Sequence, residues 1–341
     1  MPDGAFVFIG AGALGRTFAT VLAAAGHPVV LVAREPAAAQ LRALPVLRVR
    51  GAVESSAPVR GAPPTPGSVT VATLGDELPR GAAVLFTTKA HQLGAAASAV
   101  ALTWPAADDP DAWTAGLQNG LLAGDQLGEV FGPGRVVGAC TVLGARRVAG
   151  GAAVASLGMT YLGELGGGRG GRAEAAARAL RGAGLPGTAA DDIREVLWAK
   201  MCNAVGVFGV SALTGMPTSQ IMGSPPLVRA YRALLEEAAL VARAEGVTVA
   251  DYPDLPMRTY LDLAREEMVK RLAGRPAQDG AALSFSSMAQ DLAGGRPTEY
   301  EQVFGDLLRR AGRLGVPVPR AALVYDLIAG LDAATQTRAP G

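Results

Sequence analysis

Lysine is scarce in this 341-residue chain, and where it persists is the first pointer to chemistry. Only Lys89, Lys200 and Lys270 are lysines among 31 basic residues, so arginine serves wherever a guanidinium will do. A surviving ammonium marks a place where a compact point charge is needed. Lys200 lies inside the apolar run DDIREVLWAKMCNAVGVFGVSALT, residues 191–214. An unpartnered ammonium in such surroundings is costly, so Lys200 must be paired, opened to a cleft, or partly neutralised. Asparagine is scarcer still, limited to Asn119 and Asn203. Asn203 follows Lys200 by three residues and shares its side of a helix.

These residues need elements to hold them. Asp192 as N-cap and Glu195 three residues on form a capping box, which predicts a helix carrying Lys200. At the N-terminus, AFVFI reads as a buried strand and GAGALG follows it, with Gly10, Gly12 and Gly15 at the G-x-G-x-x-G spacing. The three glycines allow a tight turn, close approach of a pyrophosphate, and close packing of the next helix. The second strand, 28–32, ends in Ala33-Arg34 rather than in an acidic residue that would bond the 2′-hydroxyl of NAD. A guanidinium there pairs with a 2′-phosphate, so NADP(H) is the expected dinucleotide; the alternative has Glu35 reading the ribose. Later strands, 84–87 and 115–118, end in TTKAHQ and LQNG. Ligands bind beyond the carboxyl ends of parallel strands, which directs Lys89, Gln92 and Asn119 to cofactor or substrate. A solvated Lys89 and a plain Asn-Gly turn are the bland counterparts.

Further strands are expected at 46–49, 69–72 and over 135–165, a surface connection at 57–67, and one more helix at 173–184. From about residue 190 helical periodicity takes over, at 226–245, 257–273, 284–294, 299–314 and 320–334. The fold class is therefore α/β: a Rossmann-type parallel-sheet domain over 1–185, then an all-helical domain over 186–341.

Composition narrows the function. A net charge of +1 argues against a nucleic-acid surface. Cys140 and Cys202 are too few for a disulfide framework, and the N-terminus lacks the basic region of a signal peptide, so a cytoplasmic protein is expected. The uncharged stretch 201–228 is interrupted by glycine and proline, which argues against a membrane span. His27 and His91 are the only histidines, leaving almost no material for a metal cluster or a histidine-based triad.

The helical half holds a second constellation, SFSSMAQDLAGGRPTEYEQV, with Ser286 and Ser287 before a short helix and Glu299 at the start of another. Glu299 there is as readily a helix cap as a catalytic group.

In this order and spacing, GAGALG, TTKAHQ, LQNG, LWAK and SSMAQDLAGGRPTE, followed by a helix and GVPVP, resemble one family across nearly the whole chain: the ketopantoate (2-dehydropantoate) reductases. The resemblance implies NADPH held by Gly10, Gly12, Gly15 and Arg34, with Lys89 and Asn119 near cofactor and substrate. It makes Lys200 the catalytic lysine, Ser287 the serine for the substrate carboxylate, and Glu299 the glutamate beside the reacting hydroxyl. The implied reaction is NADPH-dependent reduction of a small 2-oxo acid, 2-dehydropantoate to pantoate in pantothenate biosynthesis, with room for a homodimer.

The chain departs from the family at one place. Asparagine usually stands four and often also eight residues after the lysine, where this sequence has Ala204 and Phe208. Asn203 can take that part from the neighbouring position, and Phe208 would make the pocket more apolar. A reductase of a different 2-oxo acid or ketone is the alternative. A non-catalytic NADP-binding sensor would need an impaired Lys200 or Glu299, and both are present.

Overall fold

The computed structural model describes residues 4–104, 109, 111–273 and 285–338. The chain divides into two compact units, one of Met1–Gln118 and Leu122–Ile193, the other of Arg194–Gly341 together with Asn119–Leu121.

The first unit begins with β1 (Phe6–Ile9), α1 (Ala13–Ala24), β2 (Val29–Val32), α2 (Ala37–Arg42), β3 (Val46–Gly51), β4 (Ser55–Arg60), β5 (Val69–Ala72) and β6 (Ala83–Phe86). It continues through α3 (Leu93–Thr103), β7 (Trp113–Gly116), α4 (Ala123–Phe131), β8 (Val137–Thr141), β9 (Gly144–Val148), β10 (Gly151–Ser156), β11 (Thr160–Glu164), α5 (Gly171–Gly182) and β12 (Gly187–Ala189). The main sheet has the order β7-β6-β1-β2-β5-β4-β3-β10-β9. From β7 to β4 every neighbouring pair is parallel. β1, β2, β5, β6 and β7 are buried at every residue, which is why they read as unbroken apolar runs rather than alternating ones. Phe6 and Phe8 face Phe18 and Leu22 of α1 in one core, while Val7 and Ile9 share the other with Leu93 and Val100 of α3.

The connection expected at 57–67 is a strand for its first part. β4 pairs antiparallel with β3 and parallel with β5, because Ala57 turns inward to full burial while its neighbours face out. The strands expected over 135–165 serve two sheets. β9 and β10 form a hairpin that extends the main sheet at β3, while β8 and β11 join β12 in a three-stranded sheet.

The second unit is built on α6 (Ile193–Thr214), α7 (Thr218–Gly223), α8 (Pro225–Ala244), a minimal hairpin of β13 (Asp251–Tyr252) and β14 (Leu255–Pro256), α9 (Met257–Asp262), α10 (Arg265–Ala273), α11 (Ser287–Ala293), α12 (Asp306–Leu314) and α13 (Pro319–Arg338). The single helix expected at 257–273 is two, because Leu263 takes an extended conformation between α9 and α10. The one expected at 299–314 opens with a π-helical turn, Glu301–Gly305, before α12. Buried Glu237 of α8 accepts the backbone N–H groups of Arg320 and Ala321, which caps α13 and pins it to α8.

Among the described residues α6 is the one helix long and apolar enough to cross a membrane, and 78% of its most apolar window is buried in the protein. Its apolar character is consumed by packing on several sides. It stops at Thr214, where Gly215 takes a φ of +66°.

Candidate active site

Three glycines at the end of β1 have three different surroundings. Gly10 has a φ of +113°, a conformation that side chains rarely adopt. A Cβ on Gly15 would lie 2.0 Å from the carbonyl oxygen of Gly10 and 2.7 Å from Thr87 Oγ1. A Cβ on Gly12 would meet nothing of the protein closer than Thr87 O at 3.9 Å. Gly10 and Gly15 are thus explained by the fold. Gly12, directly before the N-terminus of α1, is needed small only if something from outside comes close, which suits a pyrophosphate over the first N–H groups of a helix.

A brace holds this loop. Thr87 Oγ1 donates to Gly10 O at 2.8 Å, and Gln118 Nε2 donates to Phe86 O at 3.0 Å and Thr88 O at 3.2 Å. Arg16, buried in the first turn of α1, donates from Nε to Ala11 O at 2.9 Å. Lys89 follows as the residue before a short 3₁₀ turn, Ala90–Gln92, so Lys89 and Gln92 flank one turn at the carboxyl end of β6. At the end of β2, Glu35 is committed locally: its Oε2 accepts Ala39 N–H at 3.0 Å and its Oε1 pairs with Arg42 at 2.8 Å. Arg34 is exposed.

Asn119, Lys200, Asn203, Ser287 and Glu299 all belong to the second unit. Glu299 is buried, and its Oε2 accepts from Asn119 Nδ2 at 3.2 Å. Gly120 makes that approach feasible: its φ is +92°, and a Cβ there would lie 2.4 Å from Gln302 O. The Asn-Gly pair therefore does more than turn the chain, since it seats Asn119 against Glu299. On the other side, buried Asp332 of α13 accepts the Thr298 backbone N–H at 2.8 Å and holds the segment that carries Glu299.

On α6 the residues around Lys200 separate by burial. Met201, Cys202, Ala204 and Val205 are buried, whereas Leu197, Lys200 and Asn203 are only half-buried and lie along one stripe. Lys200 is thus set apart from the fully buried residues around it on α6. Ala204 and Phe208 are buried, at 2% and 8% exposure, so an amide at either position would point into packing rather than along the stripe that carries Lys200. Burial pushes the Cys202 thiol up to about 12, which makes it a small packing residue and no nucleophile.

The two adjacent serines divide their tasks. Ser286 caps α11 by accepting Ala289 N–H at 3.1 Å and shares a hydrogen bond with Ser211 of α6, so its hydroxyl is spent on docking α11. Ser287 is the first residue of α11 and half-buried. Gln118, Thr87, Gly120, Tyr231 and Asp332 were not singled out from the sequence. Gln118 and Gly120 flank Asn119 in LQNG and could have been suspected from that; Tyr231 and Asp332 lie within long helices, α8 and α13, with no motif around them.

Residues 6–167 match the family described as ketopantoate reductase PanE/ApbA, and residues 192–332 match its C-terminal counterpart. The chain belongs to the ketopantoate reductase family. It is similar to the 2-dehydropantoate 2-reductase of Archaeoglobus fulgidus, at 27% identity over 95% of this chain and 96% of that protein. A crystal structure of a PanE/ApbA family ketopantoate reductase from Ralstonia eutropha JMP134 superposes with a TM-score of 0.73 at 26% identity, covering 97% of this chain and 99% of the other. D-mandelate dehydrogenase, solved with NADH and anilino(oxo)acetate, shares the fold with a TM-score of 0.76 at 20% identity, covering 97% and 99%. As a member of the ketopantoate reductase family the chain is a nicotinamide-dependent oxidoreductase, which sets aside a non-catalytic scaffold.

Proposed function

We propose that this ketopantoate reductase family member uses NADPH to reduce the ketone of a 2-oxo acid to the 2-hydroxy acid, with 2-dehydropantoate as the substrate to test first. The observation that carries the reading is the division of labour on α6 and around Glu299: a half-buried ammonium, an amide beside it, and a buried carboxylate held by Asn119.

The first unit fits a dinucleotide by the room over Gly12, where among the described residues the nearest atom to an added Cβ is Thr87 O at 3.9 Å. Gly10, Gly12 and Gly15 with the first turn of α1 would hold the pyrophosphate, and Lys89 and Gln92 lie on the adjoining strand-end turn. NADPH is preferred to NADH because Glu35 is engaged by Ala39 and Arg42, while Arg34 stays exposed for a 2′-phosphate. When bound, the dinucleotide supplies hydride to the carbonyl carbon.

The remaining work falls to side chains of the second unit. Lys200 Nζ stabilises the negative charge that grows on the ketone oxygen and donates the proton that completes the hydroxyl. Glu299 orients the reacting group, with its own carboxylate set by Asn119. Ser287 Oγ and the Asn203 amide donate to the substrate carboxylate. Replacing Lys200 by Ala should reduce kcat on the order of a hundredfold or more while the KM for NADPH stays within about twofold. Unchanged turnover overturns the assignment.

A second reading keeps the machinery and changes the substrate. With Ala204 and Phe208 buried and the amide displaced to Asn203, the substrate side differs from the usual family pattern, which favours a different 2-oxo acid. NADPH oxidation measured across 2-dehydropantoate and a panel of 2-oxo acids separates the two by the highest kcat/KM. We also read α13 as a homodimer surface, since Leu323, Leu327 and Leu331 stand exposed at successive turns and form one apolar ridge.

A further inference from the structure

Asn203 is held from behind. Tyr231 of α8 is fully buried, and its hydroxyl donates to Asn203 Oδ1 at 3.0 Å. The approach is made by a glycine one turn further along α6. A Cβ on Gly206 would lie 2.5 Å from Tyr231 Cδ2 and 2.6 Å from Cε2, so only a glycine lets the ring rest against the backbone of α6. The tyrosine therefore reaches Asn203 by a close helix contact that the sequence provides for specifically.

The bond decides which way the amide faces. A tyrosine hydroxyl has one hydrogen to give. The other acceptor within reach is Met257 Sδ at 3.8 Å, a weak one, so the amide oxygen takes the hydrogen. Burial pushes the Tyr231 phenol well above its ordinary range, which keeps that hydrogen in place throughout the working pH range. With Oδ1 tied to Tyr231, the hydrogen-bonding capacity left to Asn203 is its two N–H donors, and Asn203 is half-buried on the stripe of α6 that also carries Lys200. That stripe then presents an ammonium and an amide N–H₂, donors from both residues.

We propose that Tyr231 is a positioning residue that makes Asn203 an obligate donor, so that the site selects an acceptor-only group, a carboxylate, over a carboxamide at the same place on the substrate. The inference rests on the reading of Asn203 as a substrate contact.

The test compares wild type with Tyr231→Phe, Asn203→Ala, the double variant and Asn203→Asp, using a 2-oxo acid and its 2-oxo carboxamide with NADPH. Tyr231→Phe keeps the ring and should raise the KM of the acid about tenfold, as expected for a hydrogen bond to a charged group left unsupported. The KM for NADPH should not change, and the preference for acid over carboxamide should fall by a similar factor. A merely structural role would lower activity on both substrates equally. The double variant should be no worse than Asn203→Ala, because the tyrosine acts through the asparagine. Asn203→Asp preserves the Tyr231 bond but turns an oxygen outward, so it should weaken the acid by tenfold or more even if Tyr231→Phe folds poorly. An Asn203→Ala variant with unchanged KM for the acid overturns both the substrate contact and the role of Tyr231. An effect of Asn203→Ala with none of Tyr231→Phe, additive effects in the double variant, or an Asn203→Asp variant that binds the acid as wild type does, overturns the positioning role alone.

Discussion

Replacing Gly12 and Gly15 by alanine, one at a time, should separate a glycine kept for a ligand from a glycine kept for the fold. At Gly15 the new Cβ would stand 2.0 Å from Gly10 O, a backbone atom that can move only with the loop. Ordinary carbon–oxygen contact needs roughly 3.2 Å, so the loop or α1 must shift by about 1 Å, and such overpacking costs about 3 kcal/mol. For a unit of this size that lowers Tm by about 6–12 °C. The same shift misplaces the N–H groups at the start of α1, where a 1 Å error costs on the order of a hundredfold. At Gly12 the backbone is extended, with φ −72° and ψ −168°, a conformation alanine adopts freely, and the nearest protein atom is 3.9 Å away. Stability of the apo protein should therefore stay within about 0.5 kcal/mol. The methyl group projects into the space assigned to the pyrophosphate, so NADPH affinity should still fall on the order of a hundredfold. Thermal melts without nucleotide, paired with NADPH fluorescence titrations, read both quantities. A Gly12→Ala variant that binds NADPH normally, or that melts as early as Gly15→Ala, refutes the assignment of the loop.

Other outcomes follow from single contacts. Arg34→Ala should raise the KM for NADPH on the order of tenfold and leave that for NADH within about twofold, because only the former carries a 2′-phosphate; equal effects on the two would return the choice of cofactor to Glu35. His27 packs edge-on against Phe6 with ring centroids 5.3 Å apart, and burial lowers its pKa below 6.5. Its neutral form is the one the fold prefers, so the unfolded chain takes up the proton first as pH falls through 6.5, and stability is lost below that pH. Denaturant midpoints of His27→Gln should fall less steeply than wild type between about pH 6.5 and 5; parallel curves would show that His27 has no such part. Leu327→Asp, at the centre of the α13 ridge, should convert a dimer to monomer in sedimentation velocity without lowering the melting temperature by more than a few degrees, and an unchanged sedimentation coefficient would remove α13 as the interface.

The Rossmann core and the candidate site residues were legible in the primary structure because both depend on local requirements. A buried parallel strand must be apolar throughout, a turn at φ +113° must be glycine, and a lysine in a buried helix stands out against 28 arginines. Residue scarcity picked out Lys200, Asn119 and Asn203 with no structure in hand. Motif order added Ser287, and it moved Glu299 from helix cap to candidate site.

What stayed hidden depends on groups far apart in the chain. Nothing near Glu299 announces that Asn119, 180 positions earlier, donates to it, or that Asp332 holds the backbone beside it. The two serines before α11 are equivalent in sequence, and only the docking of Ser286 against Ser211 spends one and leaves the other. Proline and glycine after residue 57 predict a surface connection where the later part of β4 runs, and the pairing of β4 with β3 and β5 outweighs that local signal. Most of all, the sequence shows Asn203 three residues after Lys200 but not which end of its amide faces outward. That is set by a tyrosine hydroxyl 28 residues away, and it can be set only where two helices pack closely enough, over Gly206, for one to reach the other.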